Sequence, residues 1–179
     1  FVSDYDGGSE KIEYIKELVS EYVNGGHKIL IFSQFVSALN IVEEELKNLG
    51  IAYFMLTGDT KASDRVDMCN SFNKTDSMEK VFLISLKAGG NGLNLIGADT
   101  VIHVDPWWNV SAENQATDRA HRIGQIRQVE VIKLICSSSI EQRVIELQNL
   151  KKDLIDKVIS NDDSSITKLS IADLKYILS

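Results

Sequence analysis

Five short apolar runs alternate along the chain with segments in which apolar residues recur every three or four positions. The runs lie at 28–33, 52–56, 81–85, 100–104 and 129–135. The continuous run KILIFS at 28–33 is typical of a strand buried on both faces of a parallel sheet. The recurrent segments lie at 9–24, 36–48, 63–72, 111–121 and 140–159, with the spacing of helices that bury one face. This alternation predicts an α/β fold: a doubly wound, mostly parallel sheet with right-handed crossovers and a C-terminal helical extension.

The residues just beyond the predicted strands are the first candidates for a binding site, because ligands of such sheets bind at the carboxyl ends of the strands. These residues lie at 33–35, 57–59, 85–94 and 105–109. No phosphate loop of the form G-x-x-x-x-G-K-[ST] is present, since no glycine in the chain is followed by lysine. The dinucleotide fingerprint G-x-G-x-x-G also fails, because Leu95 occupies its third glycine position. We therefore expect that this chain alone does not hold and hydrolyse ATP.

Composition narrows the class of protein further. The chain has 179 residues, 44% of them hydrophobic, and a formal charge of −7. These values exclude disorder of the whole chain and a uniformly basic surface, but not a local basic groove. Two cysteines are too few for a disulfide scaffold, and the three histidines do not pair with them at zinc spacing, so we predict no metal site. No apolar run approaches the roughly 20 residues of a membrane span, and an intracellular protein is predicted.

The segment QATDRAHRIGQ at 115–125 concentrates polar and charged side chains on a predicted helix. Arg119 and Arg122 are three residues apart and would share a face, with Gln115 one turn earlier. Two neighbouring guanidinium groups repel each other unless anions lie opposite them. One interpretation pairs them with surface carboxylates. The other directs them at nucleotide phosphates, which the planar, permanently charged guanidinium binds with two hydrogen bonds. The residues alone leave both interpretations open.

A glycine-rich stretch follows the third predicted strand. Glycines at 89, 90 and 92 allow a tight turn and a close approach of the backbone to a ligand, and successive N–H groups at such a turn can cradle an anion. Lys87 adds a positive charge for a phosphate. The alternative is a plain flexible loop between a strand and a helix.

Four segments together resemble the SWI/SNF-type family of superfamily-two ATPases. QATDRAHRIGQ is similar to motif VI of that family, KILIFSQF at 28–35 to motif IV, SLKAGGNGLNL at 85–95 to motif V, and ADTVIHVDPWWN at 98–109 to the stretch after motif V. Their order and spacing agree with the family, and the resemblance extends from residue 9 to residue 159. It implies a RecA-like fold and identifies the chain as the second, C-terminal motor lobe, whose partner lobe carries the phosphate loop.

The resemblance implies roles for individual positions. Arg122 would be the principal arginine finger and Arg119 its neighbour, both reaching ATP across the cleft between the lobes. Gln115, Gly92 and Asn94 would lie at the nucleotide or at the contact between the lobes. The residues expected at the DNA backbone are Ser33, Gln34, Thr57, Gly58, Arg65, Ser85, Lys87, Ala88, Gly89, Trp107 and Trp108.

Some of these DNA assignments have alternatives in the sequence itself. Arg65 lies on a predicted helix and could be a solvated charge, and Thr57 stands where the family usually has an aromatic or basic residue. Trp107 and Trp108 cannot both point inward on an extended segment. One is expected in the core and the other against nucleic acid or the partner lobe. Val110 replaces a proline that is usual in the family at this loop.

The implied function is that of half of an ATP-dependent double-stranded DNA translocase. The cofactors would be ATP and Mg²⁺, held mainly by the first lobe, and the partners would be the DNA backbone and the N-terminal RecA-like lobe of the same chain. We expect residues 1–159 to form the lobe, with a brace helix at 140–159, and residues 160–179 to form a linker and a short closing helix at 171–178. The isolated fragment is expected to be inactive as an ATPase.

Two other functions stay open at this level. One is a lobe of another RNA or DNA helicase of superfamily two, and the other is a non-enzymatic module that binds nucleic acid or protein. The protein would be found in the cytoplasm or nucleoid of a bacterium, or in the nucleus of a eukaryote.

Overall fold

A five-stranded, wholly parallel sheet forms the centre of the computed structural model, which describes residues 9–88, 93–107, 109–120, 125 and 127–159. The strands are β1 (Ile29–Ser33), β2 (Tyr53–Leu56), β3 (Val81–Ser85), β4 (Thr100–His103) and β5 (Glu130–Lys133). Their order across the sheet is β2-β3-β1-β4-β5, and every neighbouring pair is parallel. The predicted α/β class and mostly parallel sheet are confirmed.

Within the described ranges, five helices connect and flank the strands. They are α1 (Glu10–Asn24), α2 (Val36–Asn48), α3 (Ala62–Asn73), α4 (Val110–Thr117) and α5 (Ile140–Ile159). The last predicted strand, at 129–135, is shorter in the structure, where β5 covers Glu130–Lys133. The helix predicted at 111–121 ends at Thr117, and residues 118–120 form a turn. The closing helix expected at 171–178 lies outside the described residues.

The two faces of the sheet carry separate hydrophobic clusters, as the alternation of side chains along a strand requires. On one face, Leu30 and Phe32 of β1 pack with buried residues of α3 and α4. On the other face, Ile29 and Ile31 pack with buried residues of α1 and α2. All four of these β1 side chains are fully buried, and burial of one such side chain stabilises the fold by about 1.5–3 kcal/mol.

The amino end of the sheet is fixed by a buried carboxylate, Asp99, which directly precedes β4. It accepts hydrogen bonds from the Lys28 backbone N–H at 3.2 Å and from Arg127 Nη1 at 2.7 Å, and its Oδ2 lies 3.1 Å from His27 Nδ1. Burial alone would raise the pKa of Asp99, but the bonds from Arg127, His27 and Lys28 outweigh burial and hold the pKa below its ordinary value. The carboxylate is therefore a stabilising link at this end.

The strand register brings the ends of β1, β3 and β4 together at the opposite, carboxyl end of the sheet. Ser33 lies beside Ser85, and Phe32 lies beside His103. The chain segments that leave these strands are therefore neighbours in space. Among the described residues, no helix has the length and apolar character needed to cross a membrane.

Candidate functional site at the carboxyl edge of the sheet

The end of β1 is held by a buried carboxylate from the segment after β4. Asp105 accepts a hydrogen bond from the Ser33 hydroxyl and another, at 3.1 Å, from the Gln34 backbone N–H. The Ser33 hydroxyl oxygen also accepts a bond from the Phe35 N–H at 3.0 Å. These bonds fix the direction of the chain as it leaves the strand. Gln34 is half-buried, and its side-chain amide donates to the Pro106 carbonyl at 3.5 Å.

Among the described residues, Asp105 has no ion-pair partner, and its side chain accepts hydrogen bonds from Ser33 and Gln34 instead. Burial raises the pKa of Asp105, and the hydrogen bonds from Ser33 and Gln34 offset only part of that rise. The carboxylate thus orders the β1 edge at a cost in stability. The sequence analysis did not predict this role, although an acidic residue directly after the predicted strand at 100–104 was a signal that could have revealed it.

Arg65 of α3 joins two of the predicted DNA segments. Its guanidinium donates to the carbonyls of Thr60 at 2.8 Å, Gly58 at 3.1 Å, Ala88 at 3.2 Å and Thr57 at 3.3 Å. The side chain is half-buried, so it is neither a fully solvated charge nor an open phosphate ligand. Arg65 fixes the loop after β2 against the turn after β3.

The turn after β3 presents a single exposed cation. Ser85 is buried, and its hydroxyl oxygen accepts a bond from the Ala88 N–H at 3.3 Å, while the Leu86 N–H donates to the Ser33 carbonyl at 2.9 Å. Ala88 is also buried, but the Lys87 side chain is exposed. Of this group, Lys87 is the side chain that solvent, or a phosphate, can reach. Gly89 and Gly92 lie outside the described residues.

The segment 93–97, which follows the glycines, is tied to the end of α3. The Asn73 amide donates to the Asn94 carbonyl at 2.9 Å, and its carbonyl oxygen accepts from the Gly97 N–H at 2.9 Å. A side chain at Gly97 would not fit, because a Cβ there would lie 2.9 Å from the Asn73 Cα. The Asn94 side chain is exposed on this fixed backbone.

The sequence predicted Arg119 on a helix, but the structure places it beyond the end of α4. Because α4 ends at Thr117, Arg119 lies in the following turn, where it is 2% exposed, whereas Gln115 on the helix is exposed. Gln115 and Arg119 therefore do not share one face. The backbone of Arg119 accepts a hydrogen bond from the Leu95 N–H at 3.1 Å, and its Nη1 lies 3.5 Å from the Leu93 carbonyl. Arg122 lies outside the described residues.

Residues of the tryptophan loop meet the long helix α5. Trp107 is half-buried, and its backbone carbonyl accepts a hydrogen bond from the side-chain amide of Gln148. The same amide donates to Glu113 of α4 at 3.1 Å. Trp108 lies outside the described residues.

A buried histidine lies between the end of β4 and α4. His103 stacks on Phe32 with ring centroids 5.6 Å apart, and its Nε2 lies 3.1 Å from the Thr117 hydroxyl. Because that hydroxyl donates to the Glu113 carbonyl at 3.3 Å, the arrangement favours the tautomer in which His103 Nε2 carries the proton. Burial lowers the pKa of His103 to about 4, with a smaller opposing effect of Glu113 and a further lowering by Lys133. The ring is neutral at pH 7.

The described residues of this lobe include side chains that could bind ATP but no cluster that could bind Mg²⁺. The described residues contain no cluster of three or more histidine, cysteine, aspartate or glutamate side chains that could hold a metal ion, so no step is assigned to Mg²⁺ on this lobe. Gln115 and Asn94 are exposed and able to hydrogen-bond a nucleotide, whereas Arg119 would have to leave its buried position to reach one.

Comparison with known proteins identifies the family to which the chain belongs. Residues 10–124 match the family model described as helicase conserved C-terminal domain, and the chain belongs to that family. The chain is 39% identical over 93% of its length to an uncharacterized ATP-dependent helicase of Mycoplasma pneumoniae, and 39% identical over 95% of its length to Helicase SWR1 of Saccharomyces cerevisiae.

A solved structure agrees in fold as well as in sequence. The C-terminal part of the Fun30 ATPase domain aligns with 78% of this chain at 38% identity and a TM-score of 0.74. The lobe is therefore RecA-like and of the SWI/SNF type, as the motifs predicted. The chain spans 16% of the Mycoplasma relative, 11% of the yeast relative and 45% of the Fun30 chain.

Proposed function

We propose that this lobe is the second half of an ATP-dependent motor that moves along double-stranded DNA. In this proposal the lobe supplies an arginine to the transferred phosphoryl group and one side of a track for the DNA backbone. The observation that carries it is the convergence of the segments after β1, β2, β3 and β4 on one edge, where Asp105 and Arg65 hold their backbones in place.

The nucleotide part of the proposal centres on Arg122. An arginine that crosses from a second lobe stabilises the charge of the transition state, and Arg122 is the member of the pair assigned to this role. Arg119 is the neighbour that fixes the preceding turn through Leu95 and Leu93. Gln115, Asn94 and Gly92 are assigned to the nucleotide or to the contact with the first lobe, which holds most of the ATP and its Mg²⁺.

The DNA part of the proposal relies on contacts that do not read sequence. Lys87 contributes an exposed charge, and backbone N–H groups and small polar side chains around it contribute neutral hydrogen bonds to phosphates. The proposal assigns DNA contacts to Gln34, Thr57, Gly58, Lys87 and Trp107. It assigns them also to Gly89 and Trp108, which lie outside the described residues. Ser33, Ser85, Ala88 and Arg65 support them from beneath, since the first three are buried and the fourth is bonded to carbonyls. The net charge of −7 makes the isolated lobe a weak DNA ligand that needs its partner lobe.

The proposal is tested on the full-length protein with ATP hydrolysis and two displacement assays. We expect double-stranded DNA to stimulate hydrolysis and ATP to drive displacement of a triplex-forming strand, without separation of the duplex. Strand separation would favour the other branches of superfamily two. A lack of both ATP hydrolysis and DNA stimulation would favour the non-enzymatic module and contradict the proposal.

A further inference from the structure

Glu113 is a fully buried carboxylate in the first turn of α4, the helix that precedes the arginine pair. Its residue exposure is 0%, and its Oε1 lies 2.7 Å from Lys133 Nζ at the end of β5. Its other oxygen, Oε2, accepts a hydrogen bond from the Gln148 amide of α5 at 3.1 Å. A buried charge is costly unless it is paired and hydrogen-bonded, and here the partners come from two elements distant in sequence.

Gln148 is the point at which α5 meets this carboxylate. The residue is 7% exposed, and its side-chain amide donates both to Glu113 and to the Trp107 carbonyl. One amide group therefore connects α5 with the start of α4 and with the loop that leads into it. The Gln148 amide thus links both Trp107 and Glu113 to α5.

The first turn of α5 is tethered independently, two helical turns before Gln148. Glu141 forms an ion pair with Lys11 at 2.6 Å, and the same ammonium group donates to the carbonyls of Val104 at 2.9 Å and Leu134 at 3.3 Å. Glu141 and Gln148 are seven residues apart and so lie on the same side of the helix. This side of α5 therefore contacts Lys11 and the sheet edge through Glu141, and α4 through Gln148.

Helix α4 is short, so its contact with α5 lies close in sequence to the turn that bears Arg119. It has eight residues, its N-terminus is capped by the Asn109 side chain, and the turn that bears Arg119 begins directly after its last residue. At its far end the Thr117 hydroxyl contacts His103, and the Arg119 carbonyl accepts from Leu95. A shift of Glu113 relative to Gln148 would therefore move α4 and the turn that bears Arg119.

We propose that Glu113 is a positioning residue for ATP hydrolysis, and that Gln148 couples the position of α5 to the arginine pair through it. Glu113 does not touch the nucleotide in this scheme and acts only through α4. The inference rests on the proposed function, because it requires that Arg122 acts on ATP. A purely structural role would be served at least as well by an apolar pair of similar volume, since buried ion pairs often contribute little net stability.

The test uses Glu113→Gln and Gln148→Leu in the full-length protein, with Glu146→Gln as the matched control on the exposed side of α5. We measure the kcat and KM of DNA-stimulated ATP hydrolysis, binding of a fluorescent ATP analogue, and the midpoint of thermal unfolding. Both test variants should lower kcat by about 10- to 100-fold, the effect of misplacing a reacting group by about 1 Å, while affinity for the analogue stays within about twofold. Glu113→Asp keeps the carboxylate and should recover part of kcat.

The outcomes separate this inference from the proposed function. Folded Glu113→Gln and Gln148→Leu proteins with kcat at the parent value would overturn it, and so would loss of folding in both variants, since that would show a structural role alone. A loss of affinity for the ATP analogue as large as the loss of kcat would also overturn the positioning role. Arg122→Ala is measured in parallel. If that variant retains full turnover, the proposed function fails, whereas if it loses turnover and the Glu113 variants do not, only the positioning role fails.

Discussion

Asp99 and Asp105 are buried to nearly the same degree and lie at opposite ends of β4. At the amino end, Asp99 is surrounded by Arg127, His27 and a backbone N–H, and its pKa is lowered. At the carboxyl end, Asp105 is bonded to a serine hydroxyl and to Gln34, and its pKa is raised. The same side chain thus stabilises one end of the sheet and orders the other at a cost.

The opposite pKa shifts of Asp99 and Asp105 indicate different roles for the two ends of the sheet. Residues of the amino end gain stability from charge pairing, and the proposal assigns them no contact with ATP or DNA. Residues of the carboxyl end hold polar groups in fixed positions that a ligand could use, even where burial disfavours their charge. The aspartates Asp99 and Asp105 form one matched pair between the two ends, and the exposed lysines Lys74 and Lys87 form another. Arg122 lies outside the described residues and is compared with Arg127 by its proposed role alone.

The largest expected effect is on catalysis by the arginines. Arg122→Ala in the full-length protein should lower DNA-stimulated kcat by about 10³-fold, the lower range for an arginine finger, while ATP binding is kept. Arg127→Ala removes an arginine from the Asp99 cluster and should leave kcat unchanged while lowering the unfolding midpoint. Steady-state hydrolysis and nucleotide binding are measured for both variants. Equal losses of kcat in the two would contradict separate roles for the two ends of the sheet.

The second effect is the pH dependence of stability, which His103 should dominate. Its folded pKa of about 4 lies below the ordinary value of 6.5, so the unfolded chain binds a proton first as pH falls. Stability contributed by the neutral ring is complete above pH 6.5 and should decline by about 3 kcal/mol as pH falls toward 4.

Urea unfolding between pH 7 and pH 4.5 measures this decline. His103→Gln keeps a donor for Thr117 but does not titrate, and it should flatten the curve. A wild-type slope in His103→Gln would show that another group governs the dependence.

The third effect concerns the two aspartates directly. Asp99→Asn should destabilise the chain by about 1–2 kcal/mol at pH 7, because a charge-assisted bond to Arg127 is lost. Asp105→Asn should be neutral or stabilising, since an amide can accept from Gln34 and donate to Ser33 without a buried charge. Denaturant midpoints at pH 7 give both values, and a larger loss in Asp105→Asn would reverse the comparison.

The smallest effect is expected for the exposed lysines. Lys87→Ala should weaken binding of double-stranded DNA by the full-length protein about two- to fivefold, the scale of one exposed ion pair, independently of sequence. The slope of log affinity against log salt should shrink by about 0.9. Lys74→Ala removes an exposed lysine near the amino end and should change neither quantity.

The strands and most helix boundaries were predictable because they depend on local periodicity. The apolar run at 81–85 became β3 with no change in its bounds, and 36–48 became α2 in the same way. The end of α4 was not predictable in this way. The turn at 118–120 is held by contacts of Arg119 with Leu93 and Leu95, which are distant in sequence and have no periodic signature.

The location of the candidate site could be predicted from the sequence, but the contacts of its individual residues could not. The rule that ligands bind beyond the carboxyl ends of parallel strands placed Ser33, Ser85 and Lys87 on one edge. Sequence could not show that Ser33 is buried against Asp105, or that Arg65 is committed to four carbonyls. Those pairings depend on the strand register and on the position of α3, which only the folded chain brings together.

ATP hydrolysis by the purified chain, compared with that of the full-length protein, tests the central claim most directly. If this lobe is half of a two-lobe site, the chain alone should show no turnover above background, with or without double-stranded DNA, while the full-length protein shows DNA-stimulated turnover under the same conditions. Robust turnover by the chain alone would contradict the account, because it would require a complete ATP site within these 179 residues.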